Sequence, residues 1–246
     1  MMKELGPGFR LTLVFTILTG LLYPAAITVL AQLFFPDRAN GSLVVVNGKT
    51  VGSSLIGQGF SKPEYFHPRP SSAGSGYDGG LSAGSNLGPS SAKLLRGTTK
   101  MDDKNKEVSD FDGVNLRVVH YCLDNDIPYE SSIPLEQFRR ADGSLDDVRL
   151  IKAFNDEKNP LVFKSTLPIP SDAVTASSSG LDPEISPANA EMQAARVAKT
   201  RGANVEQIGP LIADHTDKPA LGLLGEPRVN VLMLNLALDE KYPRKN

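Results

Sequence analysis

Gly80-Leu81-Ser82-Ala83-Gly84 matches G-x-S-x-G, the pattern in which a strand delivers a serine nucleophile to a sharp turn and a helix carries the chain away. In an acyl-transfer site Ser82 would attack a carbonyl, and His120 or His215 would take its proton. The flanks do not suit that chemistry. Ser75-Gly76-Tyr77-Asp78-Gly79 cannot form a buried strand, and Ser85-Asn86-Leu87-Gly88-Pro89 does not start a good helix. Gly48-Lys49-Thr50 matches the end of a phosphate-binding loop, but Leu43 stands where that loop needs a glycine, and no helical pattern follows. Asp102-Asp103 and Asp124/Asp126 lack the glycine turn and distal glutamate of a calcium loop. One cysteine, Cys122, and three histidines, His67, His120 and His215, give no zinc spacing. The residues therefore name no catalytic group, no metal ligands and no intrinsic cofactor. A membrane-anchored serine hydrolase using Ser82 is the alternative reading.

The elements that would carry these residues begin with an apolar run. Between Arg10 and Asp37 lie 26 residues without a charge. About 20 apolar residues span the hydrocarbon core of a bilayer. A cleaved signal peptide has a shorter apolar stretch of about 7–15 residues and a small-residue cleavage site, whereas this run ends in Leu33-Phe34-Phe35. The spacing predicts a short cytoplasmic tail over residues 1–10 and a single transmembrane helix over 11–35, with the lipid bilayer as its surroundings. Thr12, Thr16, Gly20, Pro24 and Thr28 recur every fourth residue. Small residues let membrane helices approach closely, so this set is read as a docking face for other membrane helices. The competing reading is that the threonines bond back to their own backbone. Pro24 presses on the carbonyl of Gly20, where a kink is tolerable. Flanking charge favours a cytoplasmic N-terminus only slightly, with Lys3 and Arg10 against Glu4 on one side and Arg38 and Lys49 against Asp37 on the other. A long domain crosses largely regardless of charge, so the following domain is placed outside the cytoplasm.

Residues 36–246 read as a soluble, mixed α and β (α+β) domain. Lys plus Arg number 26 against 28 Asp plus Glu, so a basic nucleic-acid footprint is absent. Asn47-Gly48 between Leu43–Val46 and Lys49–Val51 predicts a hairpin, because both turn residues take positive φ. A Gly-, Ser- and Pro-rich loop follows from about 62 to 91. Ser144 is expected to cap a short helix with Val148, Ile151 and Phe154 on one side. Ser186-Pro187 reads as a helix start and Gly202 as its stop. Asn204 with Gln207 predicts a capping box for a next helix, with Ile208, Leu211, Ile212 and His215 buried and Pro210 delaying or bending it. Val229–Leu236 reads as a buried strand.

Several long blocks resemble one family in order. They are Gly52–Phe60, Tyr65–Ser71, Ser82–Ser90, Val174–Ser177 with Gly180–Pro187, Arg196–Ala198, Gly225–Val231 and Leu234–Asp239. Together with Tyr23-Pro24 they resemble KdpC, the C subunit of the Kdp potassium-transporting P-type ATPase. The middle departs from that pattern, with an apparent insertion somewhere around 96–166. The resemblance implies a non-catalytic subunit needed for assembly of an ATP-driven, high-affinity potassium uptake complex in the bacterial inner (plasma) membrane. Its partners would be a potassium-binding, channel-like subunit, a P-type ATPase subunit and a small membrane subunit. It also implies a proposed role as a catalytic chaperone that raises the ATPase subunit's affinity for ATP, with ATP held only jointly with that subunit and Gln193 as the nucleotide contact. An outer domain could instead cover the potassium entrance. Tyr65, Phe66, Arg69, Ser85, Asn86, Ser179, Asp182, Arg196, Asn230 and Asn235 are expected to form the family-motif surface.

Overall fold

The computed structural model describes residues 2–244. The chain forms two compact units, residues 1–55 and 56–246.

The first unit opens with α1 (Met2–Ile17), a π turn (Leu18–Leu22) and α2 (Tyr23–Phe34). The helix thus starts well before residue 11, and the expected tail is helical from Met2. The π turn sits just ahead of Pro24. That proline has no N–H and crowds the carbonyl four residues back. The widened turn accommodates it, and the Tyr23 N–H reaches back to the Leu18 carbonyl. Thr12, Thr19 and Thr28 donate to the carbonyls of Gly8, Phe15 and Pro24 at 2.7–3.0 Å. Glu4–Phe34, 31 residues, is long and apolar enough to cross a membrane, and none of it is buried. A short α3 (Pro36–Ala39) leads into a hairpin of β1 (Leu43–Val46) and β2 (Lys49–Ser53). Asn47 and Gly48 take φ of 50° and 75°, as the hairpin turn requires. The boundary between the units therefore follows this hairpin rather than the helix.

The second unit contains two hydrophobic cores. From 54 to 91 the chain is irregular. Then come α4 (Ala92–Arg96), the antiparallel pair β3 (Thr98–Met101) and β4 (Glu107–Phe111), and α5 (Gly113–Asp124). β5 (Tyr129–Ser131) pairs antiparallel with β6 (Phe163–Ser165), enclosing a 3₁₀ turn (Leu135–Phe138) and α6 (Asp147–Phe154). Leu116, Val119, Leu135, Phe138, Leu150, Ile151, Phe154 and Leu161 form one core within this stretch. Asp146, not Ser144, caps α6: its carboxylate accepts the Arg149 N–H, while the Ser144 hydroxyl turns to Asp142. Leu150, Ile151 and Phe154 are buried, and Val148 is only half-buried.

After α7 (Ser171–Val174) comes β7 (Glu184–Ile185), then α8 (Pro187–Arg201) and α9 (Val205–Asp214). β8 (Thr216–Asp217) and β9 (Arg228–Asn230) complete a three-stranded antiparallel sheet in the order β7-β9-β8, and α10 (Val231–Lys241) follows. Ser186 caps α8 and Gly202 ends it at φ 65°. Asn204 and Gln207 form the capping box of α9. Pro210 lies inside α9, which nevertheless starts at Val205; the carbonyl its ring crowds belongs to Glu206, an exposed residue. His215 is half-buried and bonds the Leu211 carbonyl at 2.9 Å instead of joining the buried face. The expected strand 229–236 is a three-residue strand that turns into a helix. Asn230 accepts the Met233 N–H as an N-cap, and Val231, Leu234, Asn235 and Leu238 then fall on one buried side. Here Phe66 packs with residues of α8, α9, β9 and α10 in the second core.

Candidate functional site

The densest constellation of polar groups surrounds the irregular segment Lys62–Arg69. Where such a segment packs against the core, as at buried Phe66, its backbone N–H and C=O groups lack the partners a helix or sheet would supply, so something else must bond them. Helices α8 and α10 do so with side chains. Asn235 accepts the Phe66 N–H at 2.9 Å and donates to the Phe66 carbonyl at 3.0 Å. Gln193 does the same for His67, at 2.7 and 3.1 Å. Two carboxamides thus imitate a strand beside consecutive residues. Arg196 donates to the carbonyls of Pro63 and Tyr65 at 2.5 and 2.9 Å, and Arg201 to that of Glu64 at 2.9 Å. The His67 ring, through Nε2, bonds the Lys62 carbonyl at 3.0 Å. Six consecutive carbonyls, 62 to 67, are each met by a side chain.

Most of the remaining capacity of these groups is also spent inside the protein, the exception being the buried Nη2 of Arg201, which has no hydrogen-bond partner among the described residues. Gln193 donates to Asn189 and accepts from Arg196 at 2.9 and 2.7 Å, and is 1% exposed. Arg196 also reaches Asn125 at 3.0 Å, joining the clamp to the end of α5. Arg201 pairs with Asp239 at 2.8 Å, and the Tyr65 hydroxyl donates to the same carboxylate. Burial holds the Arg196 guanidinium below its ordinary pKa. Burial, followed by the Arg196 charge, lowers the His67 pKa and favours the neutral ring.

A second cluster packs backbone against backbone. Arg69 pairs with Asp182 at 2.8 Å, and the Tyr77 hydroxyl donates to the Arg69 carbonyl at 2.6 Å. Ser71 donates to the Gly180 carbonyl at 2.6 Å. A side chain at Gly180 would meet the Ala83 carbonyl at 2.5 Å, and its φ of 67° suits glycine. Ser82 is exposed and donates to the Ser179 carbonyl at 3.0 Å. His120 instead bonds Asp147 at 2.8 Å and His215 caps α9. Among the described residues, neither a strand directly before Ser82 nor a helix directly after it is present.

Between the clamp and α5 lies a cavity of about 220 Å³, lined by His67, Pro70, His120, Tyr121, Asp147 and Gln193 among others. The Tyr121 hydroxyl donates to the Asn189 side chain at 2.8 Å, and burial raises its pKa. His120 is held above its ordinary pKa by the Asp147 hydrogen bond, against the effect of burial. Among the described residues, no group of three or more His, Cys, Asp or Glu side chains could hold a metal ion.

The structure places the residues expected to form a family-motif surface in three settings. Phe66, Arg196 and Asn235 are buried, which removes them from any surface; they are the clamp itself. Tyr65, Arg69, Asp182, Ser85 and Asn230 are half-buried, while Asn86 and Ser179 are exposed. Thr12, Thr16, Gly20, Pro24 and Thr28 lie exposed on the long helix. Asn189, Arg201, Asp172 and Tyr121 escaped sequence reasoning. Asp172 bonds the backbone and hydroxyl of Ser186, and a lone acid fourteen residues before a cap carries no local signal.

The blocks that build this clamp match a known pattern. Residues 5–118 and 142–240 match the family described as K+-transporting ATPase, c chain. The chain belongs to the KdpC family. It is similar to the potassium-transporting ATPase KdpC subunit of Mycobacterium tuberculosis H37Rv, with 42% identity over 239 residues, covering 97% of this chain and 99% of the relative. The KdpC subunit of Beijerinckia indica is 39% identical over 243 residues, covering 99% and 96%. That of Myxococcus xanthus is 43% identical over 236 residues, covering 96% and 87%. The KdpC pattern leaves 119–141 unmatched, inside the core made by residues 116–161. Every functional group of the clamp, from Lys62 to Asp239, lies in the matched parts except Asn125 and Tyr121.

Proposed function

We propose that this chain is a non-catalytic accessory subunit of a potassium-transporting ATPase. One helix anchors it in the bacterial inner membrane, and its second unit lies outside the cytoplasm. One observation carries the reading: an apolar helix of 31 residues, Glu4–Phe34, has none of its residues buried. In water that surface would be costly to expose; in a bilayer it is at home. The threonines that bond to their own helix still present small side chains around Gly20, which suits close approach by the helices of a channel-like subunit, a P-type ATPase subunit and a small membrane subunit.

The clamp argues for a scaffold. Gln193 has both N–H donors and its acceptor oxygen engaged by Asn189, His67 and Arg196, so a nucleotide contact there would have to break buried bonds. Any influence of this subunit on ATP affinity then travels through the assembled complex, and the outer unit acts as a cover over the potassium entrance.

The test is side-specific labelling. A cysteine at exposed Ser75 (Ser75→Cys) should react with a membrane-impermeant thiol reagent in intact cells, while native Cys122 is buried. Reaction only after permeabilisation would reverse the proposed sidedness. Gly20→Leu should lower co-purification with the ATPase; unchanged recovery would remove the helix as the docking face.

A further inference from the structure

The cavity beside α5 has an apolar interior and carboxylates at its mouth. Leu116 and Ala173 are buried and Pro68 and Pro70 half-buried, whereas Asp112 and Asp124 are exposed and Asp147 is half-buried. All of them line the same space of about 220 Å³. Asp112, Leu116, His120 and Asp124 recur every fourth residue, so one face of α5 forms this wall. Asp147 adds a carboxylate from the first turn of α6.

This negative charge is only partly spent inside the protein. Asp112 accepts the Ser109 hydroxyl and Asp147 bonds the His120 ring, each through one oxygen. Asp124 makes no hydrogen bond or ion pair among the described residues. It is also the last residue of α5, where the helix end is already a negative pole, so the helix gains nothing from a carboxylate there. Arg117 lines the cavity too. Its guanidinium lies over the Phe111 ring at 5.1 Å and bonds the Val174 carbonyl at 3.3 Å, and its one charge leaves the carboxylates in excess. His120 reports the resulting field. Beyond its hydrogen bond to Asp147, the charges of Asp147, Asp124 and Asp112 all favour its protonated form, against burial.

A metal ion does not suit these carboxylates. Among the described residues, no three His, Cys, Asp or Glu side chains are grouped to hold one. An anion would be repelled. What fits is a cation that brings apolar surface of its own. We propose that this cavity binds a small organic cation, a protonated amine on a short apolar stem. The stem lies against Leu116, Ala173 and the two prolines, and the ammonium lies among Asp112, Asp124 and Asp147. The amine is either a free solute or a lysine side chain of a companion subunit. The KdpC pattern passes over His120, Tyr121 and Asp124, so it assigns them no role.

The experiment titrates n-butylammonium into the full chain in detergent, followed by the NMR signals of the 112–124 amides and the His120 ring. The same concentrations of n-butanol and of KCl serve as controls that lack the charge and the stem. A saturable shift with n-butylammonium alone is expected. Equal shifts from n-butanol would reduce the cavity to an apolar hole, and equal shifts from KCl would reduce the effect to screening. Either result, or no saturable shift, would overturn the proposal. Asp112→Asn and Asp124→Asn should each weaken binding about fivefold, the scale of one exposed ion pair. Ala173→Leu should abolish binding by filling the interior. Glu130→Gln, exposed and outside the cavity, should leave it unchanged. Undiminished affinity in both Asn variants would also overturn the proposal. Repeating the titration on the complex purified from membranes separates the two sources. Continued binding there supports a free solute, and binding to the isolated chain alone supports a companion's lysine.

Discussion

The two cores of the second unit are built on opposite plans. The core of Leu116, Val119, Leu135, Phe138, Leu150, Ile151, Phe154 and Leu161 draws all its residues from 46 consecutive positions, 116 to 161. The other brings Phe66 to residues 185–238, across more than a hundred residues of intervening chain. The local core closes with apolar contacts and short hairpins. The composite core must also fix a loop of no regular structure, and it does so with buried amides and guanidinium groups. Long-range closure of an irregular segment therefore concentrates polar side chains in the interior, where satisfied bonds specify one arrangement and broken ones are expensive. Apart from Asn125, these side chains lie in the parts of the chain that match KdpC, whereas 119–141, in the local core, does not.

Breaking the clamp should have the largest effect. Arg196→Met keeps an apolar stem of similar length but leaves the Tyr65 carbonyl and the Asn125 side-chain oxygen without their donor, and takes one of two donors from the Pro63 carbonyl and the Gln193 side-chain oxygen. The expected loss is about 4 kcal/mol in urea unfolding. A loss under about 1 kcal/mol would mean that the loop is held by its apolar contacts alone. The local core offers the contrast. Leu150 is fully buried, and Leu150→Ala should cost about 3 kcal/mol through lost contacts and a cavity. Hydrogen exchange should then speed in α5 and α6 and stay slow in α8. Equal acceleration in both would show that the cores unfold as one cooperative body. Smaller still, Ser186→Ala removes the α8 cap and should cost about 1 kcal/mol.

The difference between the cores also governs what the sequence revealed. Local devices were legible: Asn47-Gly48 made the hairpin, Ser186-Pro187 and Gly202 bounded α8, and Asn204 with Gln207 capped α9. Each acts within a few residues, so its chemistry is visible where it is written. Val229–Leu236 misled because a continuous apolar run fits a buried strand or a buried helix equally. Asn230 as a cap was the available signal for the helix. Leu116, Val119 and Cys122, every third residue, were a usable helical signal within the charged middle segment. The clamp was not legible, because no spacing rule joins Gln193 to His67 or Asn235 to Phe66. Exposed and buried amides also look alike in a sequence.

The finest distinction between the two regions is in how they answer acid, because His120 lies against the local core and His67 in the clamp. His120 joins α5 to the first turn of α6 through Asp147, with Asp124 and Asp112 also favouring its charge. Its pKa is raised above the ordinary 6.5, so its contribution is complete below that pH and fades as pH rises through the raised value. Both partners are more than two-fifths exposed on their side chains, so solvent keeps the effect small. His67 behaves inversely. Burial and Arg196 outweigh the hydrogen bond to the Lys62 carbonyl and the attraction of Asp124, and lower its pKa. The unfolded chain then takes up a proton first, and the clamp loses stability as pH falls from 6.5 through the lowered value. Between about pH 8 and about pH 5.5, exchange corrected for its intrinsic pH dependence should therefore slow at the α5–α6 contact and quicken in segment 62–69. His120→Gln should flatten only the first response and His67→Gln only the second. A common response of both regions, or one that survives both substitutions, would show that other groups set the acid behaviour and that the two cores are not separately tuned.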